Sequence, residues 1–265
     1  MVTKNIPKIE SHAKHLANAW RNQEGVQPLT ELDPDLSIDE AYYVQLHTIR
    51  EYVESGQRIS GKKIGLTSKA VQEMLGVTEP DYGHLLDNME VKNNGEISFN
   101  RVLQPKVEGE LAFILKEDLA GPNVTAFDVL QATDVIVPAL EIVDSRIKDW
   151  KITLEDTVAD NASSGLYVLG GTPKKVTDID IKQIGMAIYK NGELQNTGVG
   201  AAALGDPAKC VAWLANKLAN YDIILKAGEV ILSGALSAMI EAKPGDHFYA
   251  KFAELGEVRV RFTEE

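Results

Sequence analysis

Two short apolar stretches in this sequence carry carboxylates where strands do not tolerate them unaided. Val107 to Leu115 (VEGELAFIL) reads as a strand. Side chains alternate along a strand, so Glu108 and Glu110 share one face while Val107, Leu111, Phe113 and Leu115 share the other. Two carboxylates on one face repel each other and are costly to strip of water. For an E-x-E pair alone, a solvent-facing strand edge is the commoner setting. The second stretch, Val137 to Val143 (VPALEIV), shifts that balance: Glu141 stands in a nearly all-apolar run, with Leu140 and Ile142 turned to the opposite side. A buried Glu needs a partner. Three carboxylates that all need a cation make an oxygen-rich site suited to Mg²⁺ or Mn²⁺. Gly109 is expected to remove bulk between the first two.

Two further stretches could contribute chemistry. Gly61-Lys62-Lys63-Ile64-Gly65-Leu66-Thr67-Ser68 sets a lysine pair between glycines, followed by a short helix from near Thr67 to near Gly76. A lysine beside a metal-bound substrate could hold a carboxylate or enolate, or transfer a proton. Read without context, a lysine in a glycine loop is more often solvated. The order G-x-x-x-x-G-K-S/T is absent, which rejects a phosphate loop. Thr157 to Gly165 (TVADNASSG) gathers small and polar residues before a strand. Such a segment closes over a ligand or is simply a turn, and its composition leaves both open. The single cysteine, Cys210, is expected to be a buried spectator, with no nearby His or glycine elbow to make it a nucleophile. His12, His15 and His47 lack ligand spacing and read as solvated or packing residues.

The surrounding pattern predicts an α+β chain. Residues 1–60 read as a helical layer. Ile9, Ala13, Leu16 and Trp20 follow helical spacing, and Ser37 with Glu40 forms a capping box ahead of the stripe Ile38, Tyr42, Leu46, Ile49 and Val53. Residues 61–265 read as a β-rich catalytic part, one functional unit with the helices. Its second acidic strand starts beside Pro138. Asn191-Gly192 marks a hairpin, and Val258, Val260 and Phe262 alternate with Arg259 and Arg261. Thr125 and Asp206-Pro207 start helices. With 39 Asp plus Glu against 27 Lys plus Arg, the formal charge is -12, which argues against nucleic acid and anionic membrane partners. The N-terminal stretch has no apolar signal region, and no run of about 18 apolar residues occurs, so a cytoplasmic protein is expected.

Taken together, GKKIGLTSKAVQEMLGV (61–77), EPDYGHLLDNM (79–89), VEGELAFILKEDLAGP (107–122), PALEIVDSRIKDWKITLEDTVADNASSG (138–165), CVAWLANKL (210–218) and LKAGEVILSGAL (225–236) resemble the fumarylacetoacetate hydrolase superfamily, in particular its hydratase/decarboxylase branch. The resemblance covers nearly the whole chain. It implies the family's β-rich roll or sandwich behind a helical N-terminal layer. It implies a divalent ion, Mg²⁺ or Mn²⁺, held by Glu108, Glu110 and Glu141. Lys63 matches the catalytic lysine, with Lys62 peripheral, and Asp81 matches an acidic residue near the substrate. Leu66, Asp160 and Ser163 match substrate-binding positions. The implied activity is hydration of 2-hydroxypenta-2,4-dienoate (2-oxopent-4-enoate) to 4-hydroxy-2-oxopentanoate, in meta-cleavage degradation of aromatic compounds. Arg146 to Trp150, Asp156 to Ser163 and Ser233 to Leu236 favour this over 4-oxalocrotonate decarboxylation, whose enzymes tend to carry a Gly-Gly-Ile-Thr type sequence at the last position. A non-catalytic assembly subunit is the alternative from another class, and the retained carboxylates and Lys63 speak against it. The partners implied are the small 2-hydroxydienoate substrate, further copies of the chain as a homo-oligomer, and a pathway decarboxylase.

Overall fold

The computed structural model describes residues 6–264. Met1–Asn5, which open the N-terminal stretch considered above, lie outside the described residues. Helix Ile6–Asn22 buries Ile9, Ala13, Leu16 and Ala19, one stripe at helical spacing. Trp20 is half-buried at its edge. Helix Ile38–Glu54 begins with the expected capping box, in which Ser37 Oγ accepts from Glu40 N and Glu40 Oε2 accepts from Ser37 N. These helices lie against the sheet that carries the acidic residues. The rings of Tyr42 and Tyr82 stack with centroids 4.7 Å apart, and Gln45 Nε2 donates to the carbonyls of Tyr82 and Val158. The helical region gives way to strand at Ile59. No described helix is long and apolar enough to cross a membrane.

The larger sheet runs Asp81–Leu86, Ile59–Gly65, Val230–Ala235, Lys106–Leu115, Thr133–Val143, Ser164–Leu169 and Glu90–Val91, with Ile240–Glu241 added beside Lys106–Leu115. It is strongly curled. Ser60 and Tyr167 lie four strands apart along it, roughly 19 Å on a flat sheet at ~4.8 Å per strand. Their hydroxyls nevertheless meet at 3.1 Å. The inner face holds an apolar plug of Leu85, Ala112, Val137, Ala139, Tyr167, Val230 and Leu232, while Ile64, Tyr82, Leu111, Phe113, Leu140 and Ile142 belong to the main core on the other face. The smaller sheet orders Gly95–Ile97, Gly256–Phe262, His247–Phe252, Gly185–Lys190 and Glu193–Val199. Val258, Val260 and Phe262 are buried there and Arg259 and Arg261 exposed, as the alternation predicts. Asn191 and Gly192 close its hairpin with φ of 54° and 86°.

Three local expectations are corrected. Gly61 to Gly65 is strand rather than a glycine loop. The Glu141 strand starts at Thr133, not beside Pro138. The carbonyl of Pro138 accepts from Gly170 N, and the N–H and C=O of one strand residue point the same way. The missing donor therefore faces the spot where the neighbouring strand has just ended at Leu169, and no ladder bond is lost. Gly109 does not make room between Glu108 and Glu110. It points away from both, and a Cβ there would lie 2.2 Å from Met186 Sδ of the smaller sheet.

Candidate active site

The antiparallel pairing of Lys106–Leu115 with Thr133–Val143 sets Glu108 directly opposite Glu141 and Glu110 opposite Ala139. All three carboxylates thereby fall on the inner face, and one oxygen of each lies within 4.8 Å of the others. Glu110 and Glu141 are buried and Glu108 half-buried. Glu110 Oε2 accepts from Gly234 N at 2.8 Å. Glu110 Oε1 and both Glu141 oxygens accept no hydrogen bond. Burial first, and then the neighbouring Glu141, push the Glu108 carboxyl up to about 7; the same two causes and Glu108 itself raise Glu110 well above the ordinary carboxylate range. A cation bound among them would favour the ionised form of Glu108 and Glu110. Oxygen-only donors with unused lone pairs fit a hard divalent ion.

Lys63 and Asp81 complete the cluster from two adjacent strands. Lys63 Nζ lies 3.2 Å from Glu141 Oε1. Burial alone would depress its ammonium, but Glu141, Asp81, Glu108 and Glu110 outweigh burial and hold it above its ordinary value. Asp81 sits opposite Gly65 in the strand register. A Cβ on Gly65 would stand 2.2 Å from Asp81 Oδ1, so glycine is what lets the carboxylate lie beside Lys63. Asp81 Oδ1 has no hydrogen-bond partner and Oδ2 accepts from Thr157 Oγ1 at 3.3 Å. Burial raises the Asp81 carboxyl and Lys63 opposes it, with a net rise. A buried acid with a free oxygen beside a buried ammonium can carry a proton or orient a water. Leu66 takes a left-handed turn, φ 57°, directly after this strand, and the next residue, Thr67, is buried against Gly234.

The segment around Asp160 is a buried, bonded turn. Asn161, Ala162 and Ser163 all have positive φ, 55°, 50° and 50°. Asn161 ties it to the Asp81 strand through paired bonds with the backbone of His84. Asp160 accepts from Arg146 Nε and N, from Ser145 Oγ at 3.3 Å and from Ser163 Oγ at 3.3 Å. Its carboxylate is thus engaged by Arg146 rather than by the Glu108–Glu110–Glu141 cluster. Lys63, Asp81 and the three glutamates come together, while Asp160 and Ser163 form an adjoining network. Arg146 lies in the 138–165 stretch, but nothing in its spacing marks it as the partner of Asp160.

Lys62 corrects a sequence expectation. It is not a peripheral, solvated cation but 2% exposed, with Nζ 2.7 Å from both oxygens of Glu229. Strand alternation puts it on the same side as Ile64, the side turned to the main core. That pattern could have signalled burial. Opposite it stands His84, whose Nδ1 lies 3.1 Å from Gln45 Oε1; burial and then Lys62 push this imidazole down to about 3, so it stays neutral. Removing one partner of a buried pair leaves a charge without compensation, typically at about 3–5 kcal/mol. Lys62→Met is therefore expected to lower the free energy of urea unfolding by an amount on that scale and so shift the midpoint down, and an unchanged midpoint would show that the pair contributes nothing. Cys210 is buried within helix Pro207–Leu218, and burial raises its thiol, so it is a spectator as expected. His12 contacts Asp33, His15 the Gln27 carbonyl and His47 Glu51, which leaves them to packing and surface pairing.

Comparison with known proteins agrees with this architecture. The fumarylacetoacetate (FAA) hydrolase C-terminal family matches residues 72–263. A 2-hydroxyhexa-2,4-dienoate hydratase of Comamonas testosteroni is 46% identical over 258 residues, 97% of this chain and 98% of the relative. A 2-hydroxypent-2,4-dienoate hydratase of Pseudomonas putida is 52% identical over 217 residues, 81% of this chain and 97% of the relative. Among solved structures, 4-oxalocrotonate decarboxylase from Pseudomonas putida G7, complexed with magnesium and adipate, superimposes with a TM-score of 0.94 at 35% identity, covering 97% of each chain. With a curled sheet, an inward acidic cluster and relatives aligned from end to end, the chain belongs to the fumarylacetoacetate hydrolase family.

Proposed function

We propose that this chain is a metal-dependent hydro-lyase that adds water to 2-hydroxypenta-2,4-dienoate, giving 4-hydroxy-2-oxopentanoate. The observation that carries the reading is the meeting of Glu108, Glu110 and Glu141 with Lys63 and Asp81 on one inner face, in a chain whose relatives at 46–52% identity are named as dienoate or pentenoate hydratases. The three glutamates would hold Mg²⁺ or Mn²⁺. When bound, the ion supplies a Lewis acid for the C1 carboxylate and C2 oxygen of the substrate. Lys63 holds the developing charge on the C2 oxygen and relays the C2 hydroxyl proton to C5 as the dienol becomes a 2-oxo-3-enoate. Asp81 orients the water that adds at C4 and accepts its proton, and C3 is protonated in turn. Leu66, Asp160 and Ser163 form the substrate wall, Asp160 by keeping Arg146 and Ser163 in place. No organic cofactor enters. The helices of 1–60 and the remainder act as one unit, since Gln45 clamps the Asp81 strand. The protein works in meta-cleavage degradation of aromatic compounds, as a homo-oligomer able to associate with a pathway decarboxylase.

The likeness to the 4-oxalocrotonate decarboxylase supports a second reading, CO₂ release from a six-carbon diacid. Metal-loaded protein incubated separately with 2-hydroxypentadienoate and 2-oxohex-3-enedioate separates the two. Hydration should appear as a mass gain of one water on the five-carbon substrate, with no CO₂ from the diacid. CO₂ evolution without hydration would transfer the chain to the decarboxylases.

A further inference from the structure

The inner face carries a second lysine that the reaction above leaves unused. Lys106 stands two residues before Glu108, so its side chain leaves the strand on the same side as Glu108 and Glu110. It is half-buried, and Nζ sits 4.2 Å from the centroid of the Trp150 ring. No described carboxylate lies within ion-pair distance of it, in contrast to Lys62 and Lys63. The ring is itself held: Trp150 Nε1 donates to the Gln104 carbonyl, and Asp149 and Trp150 adopt left-handed backbone, φ 58° and 54°. An aromatic face steadies an ammonium without consuming its N–H donors. The structure thus presents a positioned cation with free donors beside the acidic cluster.

Lys63 and Lys106 are placed differently. Lys63 acts electrostatically on all three glutamates, Lys106 on Glu108 alone of the three and on Glu241 outside them. If C2 to C4 of the substrate face Lys63 and Asp81, the C1 carboxylate points away from those two. With one of its oxygens turned to the ion that the glutamates would hold, the other needs a donor. We infer that Lys106 is a substrate-binding residue whose ammonium pairs with the free oxygen of the C1 carboxylate of a 2-oxo acid. This deepens the hydratase reading and rests on it for the orientation of the substrate.

Pyruvate carries the same carboxylate and 2-oxo group and has no chain beyond C3, so it probes that end alone. With Mg²⁺-loaded protein, Lys106→Met should weaken pyruvate binding about tenfold by calorimetry, and Lys106→Arg should restore most of it. Mg²⁺ affinity without pyruvate should stay as in the wild type, and with the dienoate KM should rise while kcat holds. Lys106→Gln serves as a second variant if the Met variant folds poorly. An unchanged pyruvate affinity overturns the assignment, as does an equal loss of Mg²⁺ affinity, which would make Lys106 a support of the strand. Adipate, titrated in the same way, is the second probe: a loss of adipate binding with pyruvate binding unchanged places the ammonium at a distal carboxylate and also overturns the assignment. Wild-type protein that binds pyruvate through Lys106 yet leaves the dienoate unchanged defeats the hydratase reading and leaves Lys106 standing.

Discussion

Removing the divalent ion is expected to abolish turnover, and Mg²⁺ or Mn²⁺ to restore it. Loss of a Lewis acid forfeits several kcal/mol of charge stabilisation in the transition state, on the order of 10³-fold or more in rate. Glu110→Gln and Glu141→Gln should weaken the rescue most, because both side chains are buried, where water cannot replace a lost carboxylate ligand, while Glu108 is half-buried. Glu108→Gln should weaken it too. Full activity in metal-free protein would remove the three residues from a metal site.

The same cluster should make the stability of chelated protein depend on pH. Glu108 is raised from 4.5 to about 7, so between those values the folded protein keeps a proton that the unfolded chain has released. Folded stability then falls as pH rises through that window, the reverse of an ion-paired carboxylate. A divalent ion takes the place of the proton. The gain in Tm on adding Mg²⁺ to chelated protein is therefore larger at pH 8 than at pH 5. A gain that is equal at both, or greater at pH 5, would show that the carboxylates are ionised without the metal.

The acidic cluster was legible because strand alternation and apolar context are local signals. Glu108, Glu110 and Glu141 each sit in a run whose other residues demand burial, and a buried acid demands a cation. Register was not legible. Nothing in VEGELAFIL or VPALEIV says that Glu108 pairs with Glu141 rather than with a neighbour two residues away, and only that register brings the three oxygens together. Long-range partners were hidden for the same reason. Glu229 lies 167 residues from Lys62, and without it an adjacent lysine pair reads as one functional and one solvated residue. Asp160 likewise drew attention through its segment, while its partner Arg146 is distinguished only by the fold. Gly109 shows the converse: its presence was plain, but its cause, Met186, comes from the other sheet.

Lys63→Met should lower kcat by on the order of 10²-fold or more, the scale of a positioned acid, base or oxyanion partner. The substitution keeps the length of the side chain and removes its charge and proton. Metal binding should survive, and can tighten, because the three carboxylates lose a competing cation 3.2 Å from Glu141. That separates Lys63 from the glutamates, whose loss lowers turnover through the metal. The control is its neighbour. Lys62→Met disturbs a buried pair on the opposite side of the strand, so its cost falls on stability, and the protein that remains folded well below its midpoint should turn over within a few-fold of wild type. The decisive comparison is kcat for the two variants at saturating Mg²⁺ and substrate, with the folded fraction measured for each. Equal small losses would remove Lys63 from the chemistry. A large loss in Lys62→Met alone would mean that the strand presents the other lysine to the substrate, and that the inner face has been assigned the wrong way round.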